Sequence, residues 1–372
     1  MKICTITCHD VYNHGASLQA YGLMKYLTNC GHDVEIIDYK PDYLSNHYNL
    51  LSIDNSKWAR NILTKSIYLV LKIPMRIPEL KRKKAFDKFT NEYLKITKSR
   101  FASNDEIKKN LPYADAFICG SDQIWNSLHE NGKDPAFYLD FVPKGKIKAS
   151  YAASFATDTI SEDYTPFVKE SIGKLDCVGI RERSGVEILN KLNIKNAVNV
   201  VDPVFLLDKE EWNNIGREEF NEKYILIYDF DNNKLIEKLA VEIARDKGYK
   251  IYTINPGKLK FCDRYFKFVG PKTFISLVRH AQIVISNSFH AAVFSIVYEK
   301  DFVIVNRTEA INTRMRDLLD DLRLSERLVN ENYKLENILR KVEYKESKKI
   351  LNEKIEFSKN YLKNALSTKV IV

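Results

Sequence analysis

A chain of 372 residues with a formal net charge of +9 has the length of about two domains. Its content of 45% hydrophobic and 12% aromatic residues supports real cores and excludes a disordered or low-complexity protein. The sequence contains no secretory leader, membrane-spanning apolar run, zinc-finger spacing, RNP motif or basic zipper, which predicts a cytoplasmic protein that does not bind nucleic acid.

In the first half of the chain, predicted strands alternate with helices. A strand, a helix and a second strand form a βαβ unit at Lys2–Thr7, Ser17–Asn29 and Val34–Asp38. Further strands are predicted at Ala114–Cys119, Lys148–Ala153, Asp176–Ile180 and Ala197–Val201. The polar stretch that begins with Asp202-Pro203 ends an N-terminal domain, which we place at residues 1–205.

The first strand also carries a possible ligand set. Cys4, Cys8 and His9 are close enough in sequence to suggest a metal site. Small buried side chains around a strand end explain these residues better, because no pair of C-x-x-C units is present. We therefore expect no metal.

The segment 57–100 is strongly basic, with thirteen lysines and arginines but three acidic residues, whereas the rest of the chain is nearly neutral. It also contains many apolar residues, which is typical of helices with a solvated basic face. The same pattern fits a basic amphipathic surface that contacts anionic lipid or a pyrophosphate-linked substrate. We predict a basic helical insertion over about residues 50–100 and keep both interpretations.

After residue 205 the alternation restarts. The predicted strands are Tyr224–Tyr228, Lys250–Ile254, Ile283–Ile285 and Phe302–Val305, and the predicted helices are Asn233–Lys247, Lys272–His280 and Asn312–Leu322. We predict a C-terminal domain at 206–330, followed by helices at 331–372 that could pack back on the N-terminal domain. The whole pattern predicts an α/β protein of two Rossmann-like domains with parallel sheets and a ligand cleft between them.

The turn between the first strand and the first helix contains Asn13-His14-Gly15-Ala16-Ser17. Gly15 allows a close backbone approach, and free N–H groups at a helix start favour an anion. The alternative is an ordinary βα turn in which Ser17 is the N-cap. Because the motif is not G-x-G-x-x-G, it gives little support to a dinucleotide site.

Two later strands also end in polar loops. Gly120, Ser121, Asp122 and Gln123 follow one strand and predict a loop that lines a site, with Asp122 as a base, an orienting carboxylate or a turn residue. Arg181 follows another strand and could bind a carboxylate or phosphate through two hydrogen bonds. A surface pair with the adjacent glutamate is the alternative.

The strand at Ile283–Ile285 leads into Ser286, Asn287 and Ser288, in a loop that ends at His290. Ligands bind at the C-terminal ends of strands in such proteins, and a histidine there could transfer a proton. A structural histidine is the alternative. No G-x-S-x-G, H-E-x-x-H or Walker motif is present.

Taken in order, these motifs resemble the polysaccharide pyruvyl transferase family. The resemblance covers about residues 1–325 and rests on Asn13-x-Gly15-Ala-x-Leu18-Gln19-Ala-Tyr21, Gly120-Ser-Asp-Gln-Ile-Trp-Asn126, Tyr151-Ala-Ala-Ser-Phe155, Ile180-Arg181-Glu182, Asp202-Pro203 and Ser286-x-Ser-Phe-His290. It implies two Rossmann-like domains in a glycosyltransferase-B-like arrangement. It also implies an enzyme that uses phosphoenolpyruvate, without a metal or redox cofactor, to place a pyruvate ketal on a sugar of a bacterial surface glycan.

The resemblance also implies roles for single residues. Arg181 matches the family's donor-binding arginine, His290 matches a histidine that acts as acid or donor ligand, and Asp122 becomes a candidate base. The sequence departs from the family's S-x-R-L-H pattern, because Ser288 stands at the arginine position and Phe289 at the leucine position. The cations that could replace the missing arginine are Arg183, Arg279, Arg307, Arg314 or a lysine.

Further binding partners follow from the same resemblance. We expect Asn13, Gly15, Gly120, Ser121, Gln123 and Ser286–Ser288 to contact substrate. The acceptor sugar is expected on a lipid pyrophosphate or a nucleotide, at the inner face of the membrane, with peripheral contact through residues 57–100. Two alternatives stay open: a nucleotide-sugar glycosyltransferase of the same architecture, and a non-catalytic, membrane-associated component of glycan assembly.

Overall fold

The computed structural model describes residues 1–45, 58, 61–255, 259–309 and 311–367. Within these ranges the first half of the chain forms a seven-stranded parallel sheet in the order β3-β2-β1-β4-β5-β6-β7. Its strands are β1 (Lys2–Ile6), β2 (Asp33–Tyr39), β3 (Ile96–Phe101), β4 (Ala116–Cys119), β5 (Ile147–Ala153), β6 (Cys177–Ile180) and β7 (Ala197–Asn199). The strand order reverses between β1 and β4, which opens a crevice at their C-terminal ends.

The second half repeats this design in a six-stranded parallel sheet with the order β10-β9-β8-β11-β12-β13, again counted over the described ranges. Its strands are β8 (Tyr224–Tyr228), β9 (Lys250–Thr253), β10 (Arg264–Tyr265), β11 (Ile283–Ser286), β12 (Asp301–Val305) and β13 (Leu328–Val329). The order reverses between β8 and β11. Two parallel sheets, each with a switch point, confirm the predicted α/β class.

Helices connect the strands of both sheets. In the first half they are α1 (His14–Asn29), α2 (Asp42–Ser45), α3 (Ile62–Arg76), α4 (Glu79–Tyr93), α5 (Asn104–Lys109), α6 (Thr165–Ile172) and α7 (Arg183–Lys191). In the second half they are α8 (Lys209–Ile215), α9 (Lys234–Lys247), α10 (Pro271–His280), α11 (Phe289–Val297), α12 (Thr313–Asp321), α13 (Leu335–Ile338) and α14 (Tyr344–Ser367). None of the described helices is both long and apolar enough to span a bilayer.

The two halves share part of their hydrophobic core. Trp212 of α8 is fully buried, with its ring centroid 5.7 Å from that of Tyr21 in α1 and 5.1 Å from that of Phe294 in α11. His14, the first residue of α1, stacks on Phe274 of α10 at 5.1 Å. Aromatic contacts of this kind hold α1 against the second half, so the C-terminal ends of both sheets lie close together.

The last helix also joins the two halves. Near its start, the Tyr344 hydroxyl donates to the Lys300 carbonyl at 2.6 Å, within the second half. Further along, the Ser358 hydroxyl accepts from the Val201 N–H at 3.0 Å, and the Tyr361 hydroxyl donates to the Ser150 carbonyl at 2.8 Å. Helix α14 therefore starts on the C-terminal half and ends against the N-terminal sheet.

Three strands were not predicted. Strand β3 closes the segment that was predicted as a helical insertion, and its residues Lys98, Ser99 and Arg100 are exposed at the sheet edge. Charged residues are common on edge strands, and they hid the period-two pattern here. Strands β10 and β13 have two residues each, too short for any periodic signal. The part of the predicted insertion at 50–57 and 59–60 lies outside the described residues.

Candidate functional site

The site lies where the C-terminal ends of the two sheets meet. Gly120 to Gln123 follow β4 and Arg181 follows β6, whereas His290 comes from the second half. His290 is the second residue of α11. The prediction that it ends the loop was therefore wrong, because it lies in the first turn of that helix. Its imidazole packs against α1, where a Cβ built on Gly15 would lie 2.0 Å from Nδ1. Gly15 is therefore needed for contact with His290.

Arg181 is buried at the centre of this site. Its Nη1 donates to Asp202 Oδ2 at 3.0 Å and lies 3.4 Å from Ser121 Oγ, and its Nη2 lies 3.6 Å from Asp122 Oδ1. The alternative of a surface Arg–Glu pair is wrong. Glu182 turns away and accepts hydrogen bonds from the N–H groups of Phe155 and Ala156.

Asp202 joins Arg181 to His290, a role that the sequence analysis missed because it treated this residue as a domain boundary. The same Oδ2 lies 3.5 Å from His290 Nε2. Burial alone raises the pKa of Asp202, but the charges of His290 and Arg181 outweigh it and set the pKa at about 2. Asp202 is therefore an ionised carboxylate that lies between Arg181 and His290.

Arg314 of α12 supplies a second guanidinium. Its Cζ lies 5.5 Å from the centroid of the Phe289 ring, and Arg181 Cζ lies 4.5 Å from the same centroid. Arg314 Nη1 is 3.5 Å from Asp122 Oδ1. With its amide oxygen turned toward Arg314, Gln123 accepts from Nη1 and Nη2 at 3.0 and 2.9 Å. Burial lowers the pKa of Arg314 to about 10, so it stays charged at neutral pH.

This arrangement selects among the arginines that could replace the cation missing at Ser288. Arg183 pairs with Asp321, Arg307 with Asp231 and Glu309, and Arg279 with Glu219. Of the four arginine candidates, Arg314 is the one whose guanidinium lies on the Phe289 ring beside Arg181. The order of residues along the chain could not reveal this, because α12 reaches the site from the end of the second sheet.

Asp122 lies between the two guanidiniums. Burial raises its pKa, but the charges of Arg181, His290 and Arg314 lower it more, and the net pKa is below its ordinary value. Gly120, two residues earlier, explains the tight turn, since it has a φ of +124° and a Cβ there would lie 2.1 Å from the Tyr151 carbonyl oxygen. Asp122 is therefore an ionised carboxylate at the centre of the site.

Several predicted contact residues use their side chains within the loops. Asn13 is the N-cap of α1 and accepts from the N–H groups of Gly15 and Ala16, so the assignment of Ser17 as N-cap was wrong. Ser288 caps α11 by accepting from the Ala291 N–H. Ser286 and Asn287 bond to the loop after β8, through the Tyr228 carbonyl and Asp229. These side chains fix the helix starts on which Gly15 and His290 lie.

Four buried nitrogens at the centre make no hydrogen bond. They are Arg181 Nε, Arg181 Nη2, Arg314 Nε and His290 Nε2. Buried donors without partners destabilise a fold, so each calls for an explanation, such as an ion or a water that satisfies it. Because most of these groups belong to cations, the site is suited to an anion that can reach both guanidiniums.

The residues around Cys8 do not form a comparable centre. Burial raises the pKa of the Cys8 thiol well above its ordinary value, and His9 Nε2 bonds to Asp38 at 3.1 Å. Within the described residues no three His, Cys, Asp or Glu side chains are grouped as metal ligands would be.

Solved structures of other proteins resemble this fold. A UDP-GlcNAc 2-epimerase of Methanocaldococcus jannaschii, solved with UDP-GlcNAc and UDP, is 13% identical with a TM-score of 0.50, over 98% of this chain and 100% of that one. Arabidopsis thaliana UGT89C1, solved with quercetin, is 10% identical with a TM-score of 0.49, over 100% and 99%. The two parallel sheets and the likeness to the epimerase agree with two Rossmann-like domains in a glycosyltransferase-B-like arrangement.

Sequence comparison identifies the family. No curated protein matches the chain. The family model of polysaccharide pyruvyl transferase matches residues 13–309, a stretch that begins at the N-cap of α1 and includes Arg181, Asp202 and His290. Because the model covers most of the chain, this protein belongs to the polysaccharide pyruvyl transferase family and is a transferase.

Proposed function

We propose that this transferase takes phosphoenolpyruvate as its donor and forms a pyruvate ketal on a sugar of a bacterial surface polysaccharide precursor. The observation that carries the proposal is the pair of buried guanidiniums, Arg181 and Arg314, on the Phe289 ring beside His290. Phosphoenolpyruvate bears a carboxylate and a phosphate. A guanidinium can bind two oxygens of either group through two parallel hydrogen bonds.

Donor binding changes the surroundings of Asp122. In the structure this carboxylate lies 3.6 Å from Arg181 Nη2 and 3.5 Å from Arg314 Nη1. The anionic groups of the donor compete with Asp122 for the same guanidiniums. An Asp122 carboxylate that loses these contacts binds a proton more readily, which makes it a better base for a sugar hydroxyl.

The proposed reaction begins at His290, whose Nε2 lies next to the Asp202 oxygen that also binds Arg181. A proton from His290 goes to the methylene carbon of the donor, and the neighbouring carbon becomes cationic. A sugar hydroxyl attacks that carbon and gives its proton to Asp122. A second hydroxyl then attacks the same carbon and gives its proton back to His290, while the phosphate leaves with the electron pair of the broken C–O bond. No metal or redox cofactor takes part.

The acceptor in this proposal is a sugar with two neighbouring free hydroxyls, carried on a lipid pyrophosphate or a nucleotide. Acceptor and enzyme would meet at the cytoplasmic face of the membrane. A nucleotide carrier keeps the sugar in solution, and a lipid carrier keeps it at the membrane. Neither carrier blocks the hydroxyls that react.

Phosphate release from phosphoenolpyruvate tests the proposal. Incubation with lipid-linked and nucleotide-linked sugars should release phosphate only with a suitable acceptor, and mass spectrometry should find the ketal on that sugar. Thermal unfolding in the presence of each candidate donor shows which donor the protein binds. Stabilisation by a uridine or guanosine diphosphate sugar, without stabilisation by phosphoenolpyruvate, would reject the proposal in favour of a glycosyltransferase.

A further inference from the structure

Helix α3 presents its apolar side to solvent. The exposed residues range from 42% for Ile67 to 83% for Ile62. They are Ile62, Leu63, Ile67, Val70 and Leu71, with Ile77 just after the helix. Positions 63, 67, 70 and 71 follow the helical repeat and form one continuous stripe. A helix of a globular protein normally turns such a stripe toward the core.

The opposite side of α3 is the side that packs. Tyr68 is buried, and the Trp58 ring lies 5.9 Å from it. The charged groups of Lys72 and Arg76 lie over the same Tyr68 ring at 5.9 and 5.7 Å. Lys72 and Arg76 belong to α3 itself, and Trp58 lies just before this helix. Tyr68 thus marks the buried side of α3, and the apolar stripe lies on the exposed side.

Helix α4 follows α3 after two residues and adds positive charge. Lys81, Lys84 and Lys88 are exposed and spaced three and four residues apart, so they form a basic ridge on one face of α4. Phe86 and Phe89, on the other face, are buried in the protein. Ile77 and Pro78, which link α3 to α4, are themselves in the helical conformation. The α3–α4 segment therefore combines an exposed apolar stripe with an exposed row of lysines.

We propose that the α3–α4 segment docks on an anionic lipid bilayer, with the apolar stripe of α3 among the acyl chains and the lysine ridge of α4 at the headgroups. Burial of apolar residues and attraction of lysines to anionic lipid are the two forces that bind an interfacial helix to such a surface.

The α3–α4 segment lies next to the functional site. Phe86 of α4 packs on the His14 ring at 5.0 Å, and Arg82 Nη2 donates to the Tyr12 carbonyl at 3.0 Å. His14 precedes Gly15, which contacts His290. A lipid-linked acceptor held in the same bilayer would thus approach the start of α1. This last step rests on the proposed function, whereas the bilayer contact itself does not.

Vesicle flotation of the full chain tests the contact without any turnover. We expect the protein to float with vesicles of phosphatidylcholine and 30% phosphatidylglycerol, and to bind pure phosphatidylcholine at least about tenfold more weakly. Leu71→Glu should abolish flotation. Leu128→Glu is the matched control, because Leu71 and Leu128 are exposed to 61% and 60%. Equal flotation of both variants would overturn the proposal.

Two tryptophan variants test the same contact without introducing a charge that could unfold the protein. Brominated lipid should quench the tryptophan fluorescence of Leu71→Trp more than that of the wild type. The quenching of Leu128→Trp should equal that of the wild type. Absence of extra quenching in Leu71→Trp would place the stripe outside the bilayer and reject the proposal.

A separate set of variants tests the lysine ridge of α4. Replacing Lys81, Lys84 and Lys88 by Gln should weaken vesicle binding about tenfold or more, while the same change at exposed Lys341, Lys345 and Lys349 should have little effect. A wild-type dimer in light scattering that Leu71→Glu dissociates, with no vesicle binding, would instead assign the stripe to self-association. Stabilisation by phosphoenolpyruvate in the same preparation keeps this failure separate from that of the proposed function.

Discussion

The imidazole of His290 packs so closely on Gly15 that a methyl group at residue 15 would lie 2.0 Å from Nδ1. This contact joins the start of α1 in the first domain to the start of α11 in the second. Either His290 or a helix must therefore move if residue 15 gains a side chain.

Gly15→Ala should consequently displace His290 from Asp202. We expect a loss of about 1–3 kcal/mol in the free energy of unfolding, typical of an overpacked site, and a strong drop in turnover. Chemical denaturation and phosphate release measure the two effects. In a His290→Ala background the clash is gone, so Gly15→Ala should then cost little stability. Additive effects in this double-mutant cycle would show that the contact does not exist.

Arg314→Gln should weaken phosphoenolpyruvate binding about 10- to 100-fold, because the loss of charge-assisted hydrogen bonds costs roughly 1.5–3 kcal/mol. Arg314→Lys keeps the charge but loses the planar fork, and its affinity should be intermediate. Titration calorimetry measures these affinities. Arg183→Gln is the control, since Arg183 is exposed and pairs with Asp321. Wild-type affinity in Arg314→Gln would remove Arg314 from the donor site.

The difference between Arg181 and Arg314 illustrates what the sequence can predict. Arg181 directly follows an apolar strand, and parallel strands bring their C-terminal ends to one edge, so its place in a site was predictable. Arg314 lies in α12, which a loop separates from the end of β12. Its proximity to Arg181 depends on how the second domain packs against the first, and hydrophobic periodicity holds no information about that packing.

The same reasoning explains the fold. Strands such as β8 and β11 are apolar along their whole length, because both faces are covered, and their positions were predicted within a residue. Strand β3 carries two charged residues among its six, lies at an open edge and was missed. Asp202 was noticed only as the start of a domain boundary and as part of the family resemblance. Its bond to Arg181 joins residues that follow neighbouring strands, and only the sheet order reveals it.

Asp122→Asn separates donor binding from catalysis. Asparagine tolerates the φ of +75° at this position, so the loop should keep its shape. The variant removes the carboxylate that competes for Arg181 and Arg314, and its affinity for phosphoenolpyruvate should equal or exceed that of the wild type. Turnover should fall about 10²-fold or more if Asp122 is the base. Calorimetry and phosphate release give both values, and full turnover would exclude this role.

Asp202 should make the fold sensitive to acid. Its folded-state pKa of about 2 lies below the ordinary value of 3.8, so the carboxylate stabilises the protein at neutral pH. This stabilisation, about 2 kcal/mol from the difference between the two pKa values, is fully present above about pH 4 and is lost as the pH falls toward 2.

Asp202→Asn should remove that part of the acid sensitivity and also lower stability at neutral pH. Arg181 and His290 would lose the counter-ion that they share, and breaking a buried ion pair costs about 3–5 kcal/mol. Urea unfolding between about pH 2 and 7 measures both changes. Asp33→Asn is the matched control, because Asp33 pairs with Lys95 at the surface and its loss should change little. If the two variants unfolded alike at neutral pH, Asp202 would not be the buried carboxylate that holds Arg181 and His290 together.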